Sequence, residues 1–137
     1  MSSFILDASY ALAWCFPDRA TANTDATLRR LEAREDNAIV PWVWRVEVGN
    51  ALGKAVTRAK VPLSRALDIW AELLLLPIRH VTIADIPQLV RLAVEHNLSV
   101  YDTCYLHAAL ASRLPLATND KKLRDAAEAN HLVTMIP

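Results

Sequence analysis

Glycine is nearly missing: Gly49 and Gly53 are the only two in 137 residues. A phosphate-cradling P-loop and a dinucleotide fingerprint each need several glycines in one short turn, so nucleotide-driven chemistry of those kinds is not expected. Cysteine is equally scarce. Cys15 and Cys104 make no disulfide framework and fit a reducing compartment, which suggests the cytoplasm. Neither charge sign is in excess, with fifteen basic and fifteen acidic residues. Composition therefore gives no argument for a nucleic-acid partner, although local clusters could still make a basic surface. No apolar run reaches the roughly 18 residues of a membrane span. The opening MSSFILD has no basic stretch ahead of an apolar one, so a secretory signal is not expected. With 53% hydrophobic residues, the chain reads as one globular domain over 1–137.

What is present is an alternation of short apolar runs and amphipathic stretches. Residues 4–6 form a buried strand ending at Asp7, and 8–16 continue at helical spacing until Pro17. Residues 20–34 predict a helix with Ala22, Ala26, Leu28 and Leu31 inward and Arg29, Arg30, Glu32, Arg34 and Glu35 in solvent. A strand at 38–40 closes at Pro41, and a long helix runs from 42 or 43 to 60. Its apolar stripe is Val43, Val46, Ala51, Leu52, Ala55 and Val56. A helix over 64–76 and a strand over 78–81 follow, then a helix to 96 capped by Thr82 or, better, Asp85. A helix starting at Asp102 is apolar nearly all round, which argues burial on more than one side. Beyond Pro115 come a strand at 116–118, a helix at 121–130 and a strand at 132–136. The order β-α-α-β-α-α-β-α-α-β-α-β predicts a parallel sheet with helices on both faces.

In such sheets ligands bind beyond the C-terminal ends of the strands, and four acids are expected there. Asp7 ends the first strand, Glu47 begins the helix after the second, Asp102 opens a central helix and Asp120 follows the fourth strand. Taken alone, Asp7 reads equally well as a helix cap. Glu47 shares a helix face with Asn50, Lys54 and Arg58, and could belong to an ordinary surface stripe. Gly49 and Gly53 each cost about 1 kcal/mol relative to alanine in a helix interior, and packing against another backbone would explain them. Four carboxylates in one crevice repel one another unless a divalent cation joins them, and oxygen-only ligands select Mg²⁺ or Mn²⁺. Zinc is disfavoured because the four histidines and two cysteines lack ligand spacing. Cys104 reads as a small buried apolar residue, and His107 as a hydrogen-bonded core or rim histidine rather than a base.

The segments LDAS at Asp7, VPWVWRVEVGNAL around Glu47 and Asn50, YDTCYLHAAL at Asp102 and LATNDKKL at Asp120 resemble the PIN-domain ribonucleases. Among these they look most like the VapC toxins of bacterial toxin–antitoxin pairs. Thr103 departs from the usual alanine after the third acid. The resemblance implies a three-layer α/β/α fold with a central parallel sheet of four to five short strands. It also implies a Mg²⁺ or Mn²⁺ site on Asp7, Glu47, Asp102 and Asp120 that cleaves RNA, often tRNA or ribosomal RNA. Ser9, Asn50 and Thr118 match positions that support such a site by hydrogen bonds.

The same resemblance implies a VapB-like antitoxin lying along an apolar groove, and a homodimer. Candidates for the groove are Trp14, Phe16, Trp42, Trp44 and residues 73–76, of which Trp44 and Leu74 read better as core. RNA contact would fall to Lys54, Arg58, Lys121, Lys122 and Arg124. Two rival readings are a catalytically silent binding module of the same fold and a doubly wound phosphatase or phosphotransferase. The second would need another acid close to Asp7, where Ala8 and Ser9 stand instead.

Overall fold

A computed structural model describes residues 2–82 and 85–137. The chain begins with β1 (Ser2–Leu6), α1 (Ala8–Cys15), a 3₁₀ turn at Pro17–Arg19 and α2 (Ala22–Glu32). It continues through β2 (Asp36–Pro41), α3 (Val43–Ala59), α4 (Leu63–Leu73), β3 (Ile78–Val81), α5 (Ile86–His96) and α6 (Val100–Ser112). It closes with β4 (Leu116–Ala117), α7 (Lys121–Ala129) and β5 (Thr134–Met135). Apart from the 3₁₀ turn, this is the expected element order.

All strand pairs are parallel, and the order across the sheet is β3-β2-β1-β4-β5. The first two crossovers step one way from β1 and the last two step the other way. Right-handed connections therefore put α1 to α4 on one face and α5 to α7 on the opposite face. The result is a three-layer α/β/α fold. The reversal of direction falls between β1 and β4, where Leu6 pairs with Ala117. Asp7 and Thr118, the next residues, thus stand side by side at the switch point of the sheet.

Residues 4–6 of β1 and 38–41 of β2 are unbroken apolar runs because both of their faces are covered there. Ile5, Leu6, Val40, Leu106 and Leu116 lie at the centre of the core, with Trp44 and Tyr105. Helix α6 is buried through Thr103, Cys104, Tyr105, Leu106, Ala108 and Ala109, as its all-round apolar sequence implies.

Several local expectations change. Helix α2 starts at Ala22, because Thr21 and Thr24 form a reciprocal capping box. Its buried residues are Thr24, Thr27 and Leu31, while Ala22 and Ala26 are exposed. Threonines can occupy the inner face because their hydroxyls find partners: Thr27 meets the Tyr10 hydroxyl at 2.8 Å. Helix α4 begins at Leu63, not Ser64. Helix α6 begins at Val100, since the Ser99 hydroxyl accepts the Asp102 N–H at 3.1 Å, which places Asp102 in the first turn. Asp85 is the cap of α5, accepting from the Gln88 N–H. Val46 and Leu74, expected inside, are largely exposed. Trp44 is core, as expected. The helical glycines have no internal packing reason, because a Cβ at Gly49 or Gly53 would meet nothing within 4 Å.

Candidate active site

Asp7 holds the N-cap position of α1 yet makes no capping bond. Its carboxylate is 4% exposed and turns inward. The Ser9 hydroxyl donates to Oδ2 at 2.6 Å and the Thr118 hydroxyl donates to the same oxygen at 2.6 Å. Each hydroxyl also accepts a backbone N–H, Ser9 from Asn119 at 2.9 Å and Thr118 from Asp120 at 3.0 Å. This small network ties the β1–α1 turn to the β4–α7 turn and saturates one oxygen of Asp7. Of the two readings open for Asp7, the capping one is thereby excluded.

Burial pushes the Asp7 carboxyl up to about 6. The bonds from Ser9 and Thr118 oppose that rise, and the charges of Glu47 and Asp102 add to it. Glu47 sits half-buried on α3 and accepts a 2.6 Å bond at Oε1 from the Tyr105 hydroxyl. Its pKa is raised, first by burial and then by Asp102, against the Tyr105 bond. The Asp102 carboxyl is raised by burial and then by the Asp120 charge, while Ser99 lowers it. Asp120 caps α7 through Oδ1, which accepts the Leu123 N–H at 3.0 Å. The four acids therefore lie within one electrostatic neighbourhood. Among the described residues none of them forms an ion pair.

Three of these carboxylates spend one named oxygen on a protein donor: Oδ2 of Asp7, Oε1 of Glu47 and Oδ1 of Asp120. An all-oxygen donor set held in this way suits a hard divalent cation. Among the described residues, no three His, Cys, Asp or Glu side chains are gathered tightly enough to hold a metal ion as they stand.

The remaining candidates separate clearly. Asn50 is exposed and makes no side-chain hydrogen bond among the described residues. Cys104 is buried, and burial followed by the charges of Glu47 and Asp102 pushes its thiol up, so it is no ready nucleophile. His107 lines a cavity of about 240 Å³ between α6 and strands β1 to β3, with Nδ1 buried and without a partner among the described residues. The hydrogen bond expected for it is not made there. Tyr105 was not singled out in the sequence. The available signal was its place three residues after Asp102 on a buried helix, because a buried phenol needs a partner.

The PIN-domain family model matches residues 4–129. The chain belongs to the PIN-domain family. Among curated proteins no sequence match is found. Solved structures with similar folds include PAE2754 from Pyrobaculum aerophilum, at 22% identity and a TM-score of 0.77, covering 98% of this chain and 84% of that one. VapBC2 from Rickettsia felis, bound to a DNA fragment from its promoter, is 14% identical with a TM-score of 0.64, covering 96% of both chains. A toxin–antitoxin complex from Klebsiella pneumoniae is 19% identical with a TM-score of 0.59, covering 87% of this chain and 88% of that one. At these identities the likeness is one of fold. Among the described residues, no helix of this PIN domain is long and apolar enough to cross a membrane.

Proposed function

We propose that this PIN domain, acting as one unit over 1–137, is a Mg²⁺- or Mn²⁺-dependent endoribonuclease and the toxin of a toxin–antitoxin pair. The observation that carries the reading is Asp7. A carboxylate buried at the sheet's switch point, beside three other acids and without a cation partner among the described residues, is costly unless it serves a bound charge. Asp7, Glu47, Asp102 and Asp120 would hold the ion. The chemistry such an ion supplies when bound is a positive charge that draws in a phosphodiester and makes a nearby water acidic enough to attack it. The chain's own part is to aim the free carboxylate oxygens and to keep Asp7 rigid through Ser9 and Thr118. A phosphatase using Asp7 as nucleophile fits poorly, since that carboxylate is buried and bonded.

The antitoxin reading draws on the toxin–antitoxin complexes among the structural relatives and on an apolar groove between α3 and α4. The groove encloses about 310 Å³ and is lined by Arg45, Gly49, Gly53, Leu63, Leu67 and Trp70. Gly49 and Gly53 leave room for a Cβ along it, Leu52 and Ala66 are buried beneath it, and Leu63 and Leu67 are largely exposed beside it. Arg45 lies over the Trp70 ring at 5.5 Å, so a cation waits at the rim for an acidic group of the partner. Trp42, 53% exposed, extends the same face of α3, whereas Trp14 and Phe16 are half-buried elsewhere. A homodimer would use Ile86, Val90 and Val94, an exposed apolar stripe along α5. Lys54, Arg58 and Lys122 are exposed and serve RNA best, because Lys121 is paired with Asp125 at 2.8 Å. The expected compartment is the cytoplasm.

The deciding experiment is cleavage of a labelled RNA by protein freed of any partner. Activity with Mn²⁺ or Mg²⁺, lost with EDTA and in Asp7→Asn and Asp102→Asn, is the expected outcome. Equal cleavage by the variants and the parent overturns the reading.

A further inference from the structure

Tyr105 joins two parts of the crevice that are 58 residues apart in sequence. It projects from α6, one helical turn after Asp102, and its hydroxyl donates to Oε1 of Glu47 on α3 at 2.6 Å. The ring is fully buried. In this pair the phenol O–H donates and the carboxylate oxygen accepts, a charge-assisted bond between two half- or fully buried groups. Phenylalanine at this position would fill the core equally well. The hydroxyl is therefore the part that needs a reason, and a polar atom in a core is retained at a cost unless it is used.

We propose that Tyr105 is a positioning residue for Glu47, committing one carboxylate oxygen to the protein so that the other is the one presented to the cation. The proposal rests on the reading of the crevice as a metal site. It places Tyr105 beside Ser9 and Thr118, which do the same for Asp7 from the other side of the switch point. The two acids are thus held by hydroxyls contributed by α1, the β4–α7 turn and α6, so the crevice is oriented from three separate elements rather than by one loop.

The test is Mn²⁺ binding to the folded chain, read by water proton relaxation, for the parent, Tyr105→Phe, Glu47→Gln and the double variant. Tyr105→Phe should keep its circular dichroism and bind Mn²⁺ about 10- to 100-fold more weakly. That loss should vanish in the Glu47→Gln background, because the hydroxyl then has no ligand to orient. Binding within twofold of the parent, or an equal loss in both backgrounds, overturns the proposal. A parent that takes up no Mn²⁺ overturns both this proposal and the reading beneath it, and differs in that the failure lies in the parent. Urea unfolding of the same four metal-free chains reads the bond itself: additive effects of the two substitutions would also overturn it.

Discussion

Helix α3 carries two surfaces of opposite kind. Toward the sheet's switch point it offers Glu47, half-buried, bonded to Tyr105 and set among like charges. Toward α4 it offers Gly49 and Gly53, uncovered and beside exposed leucines. The crevice is finished from within, since each hydroxyl around Asp7 both gives and accepts a bond. The groove is unfinished, because its glycines cost helix stability and a Cβ on either would meet nothing within 4 Å. A site for chemistry is preorganised by internal bonds, whereas a site for a protein partner leaves its complement to the partner.

The largest expected effect breaks the crevice alone. Asp102→Asn should lower RNA cleavage at least about 100-fold, the scale for removing a group that stabilises developing charge. It should leave binding of the proposed antitoxin at the α3–α4 groove unchanged, as read by calorimetry.

A smaller effect concerns the charge of Asp7. Its pKa of about 6 in the fold lies above the ordinary 3.8, so the folded state holds the proton more tightly than the unfolded one. The resulting stabilisation is complete below about pH 4 and is lost as pH rises through 6. Metal-free protein should therefore gain roughly 2 kcal/mol from this group between pH 7 and pH 4, at about 1.4 kcal/mol for each pKa unit. Denaturant unfolding at several pH values checks it, with Asp7→Asn as the chain in which the trend shrinks to the part left by Glu47 and Asp102.

Thr118→Val should cost about 1–3 kcal/mol at pH 7, because it withdraws one donor from Asp7 and the acceptor for the Asp120 N–H. The cost should shrink at pH 5, where a protonated Asp7 needs less support, and thermal melts at both values measure this.

The smallest effect sharpens the groove. Gly49→Ala and Gly53→Ala should each stabilise the isolated chain by up to about 1 kcal/mol, since alanine favours helix and a Cβ there meets nothing. The same pair should weaken antitoxin binding, and a stabilised chain that binds as before would mean that no partner backbone approaches this face.

How much of this was legible depended on range. Asp7 was visible as a residue at a strand's end, but its choice between capping α1 and meeting Thr118 depends on a residue 111 positions away. The burial of Thr24 and Thr27 escaped the apolar pattern because threonine enters a core once its hydroxyl is bonded. The exposure of Val46 and Leu74 escaped it for the converse reason, since a folded chain has too little polar surface to keep every apolar side chain inside.

The sequence by itself determined the order of strands and helices and the positions of the four acids along them. Those features follow from local periodicity, proline and capping residues, which act within a few positions. The tertiary structure decided the strand order β3-β2-β1-β4-β5, which oxygen of each acid is bonded, and which face of α3 is left bare. Parallel strands meet only through long crossovers, and a buried polar atom takes whichever partner the packed chain brings to it.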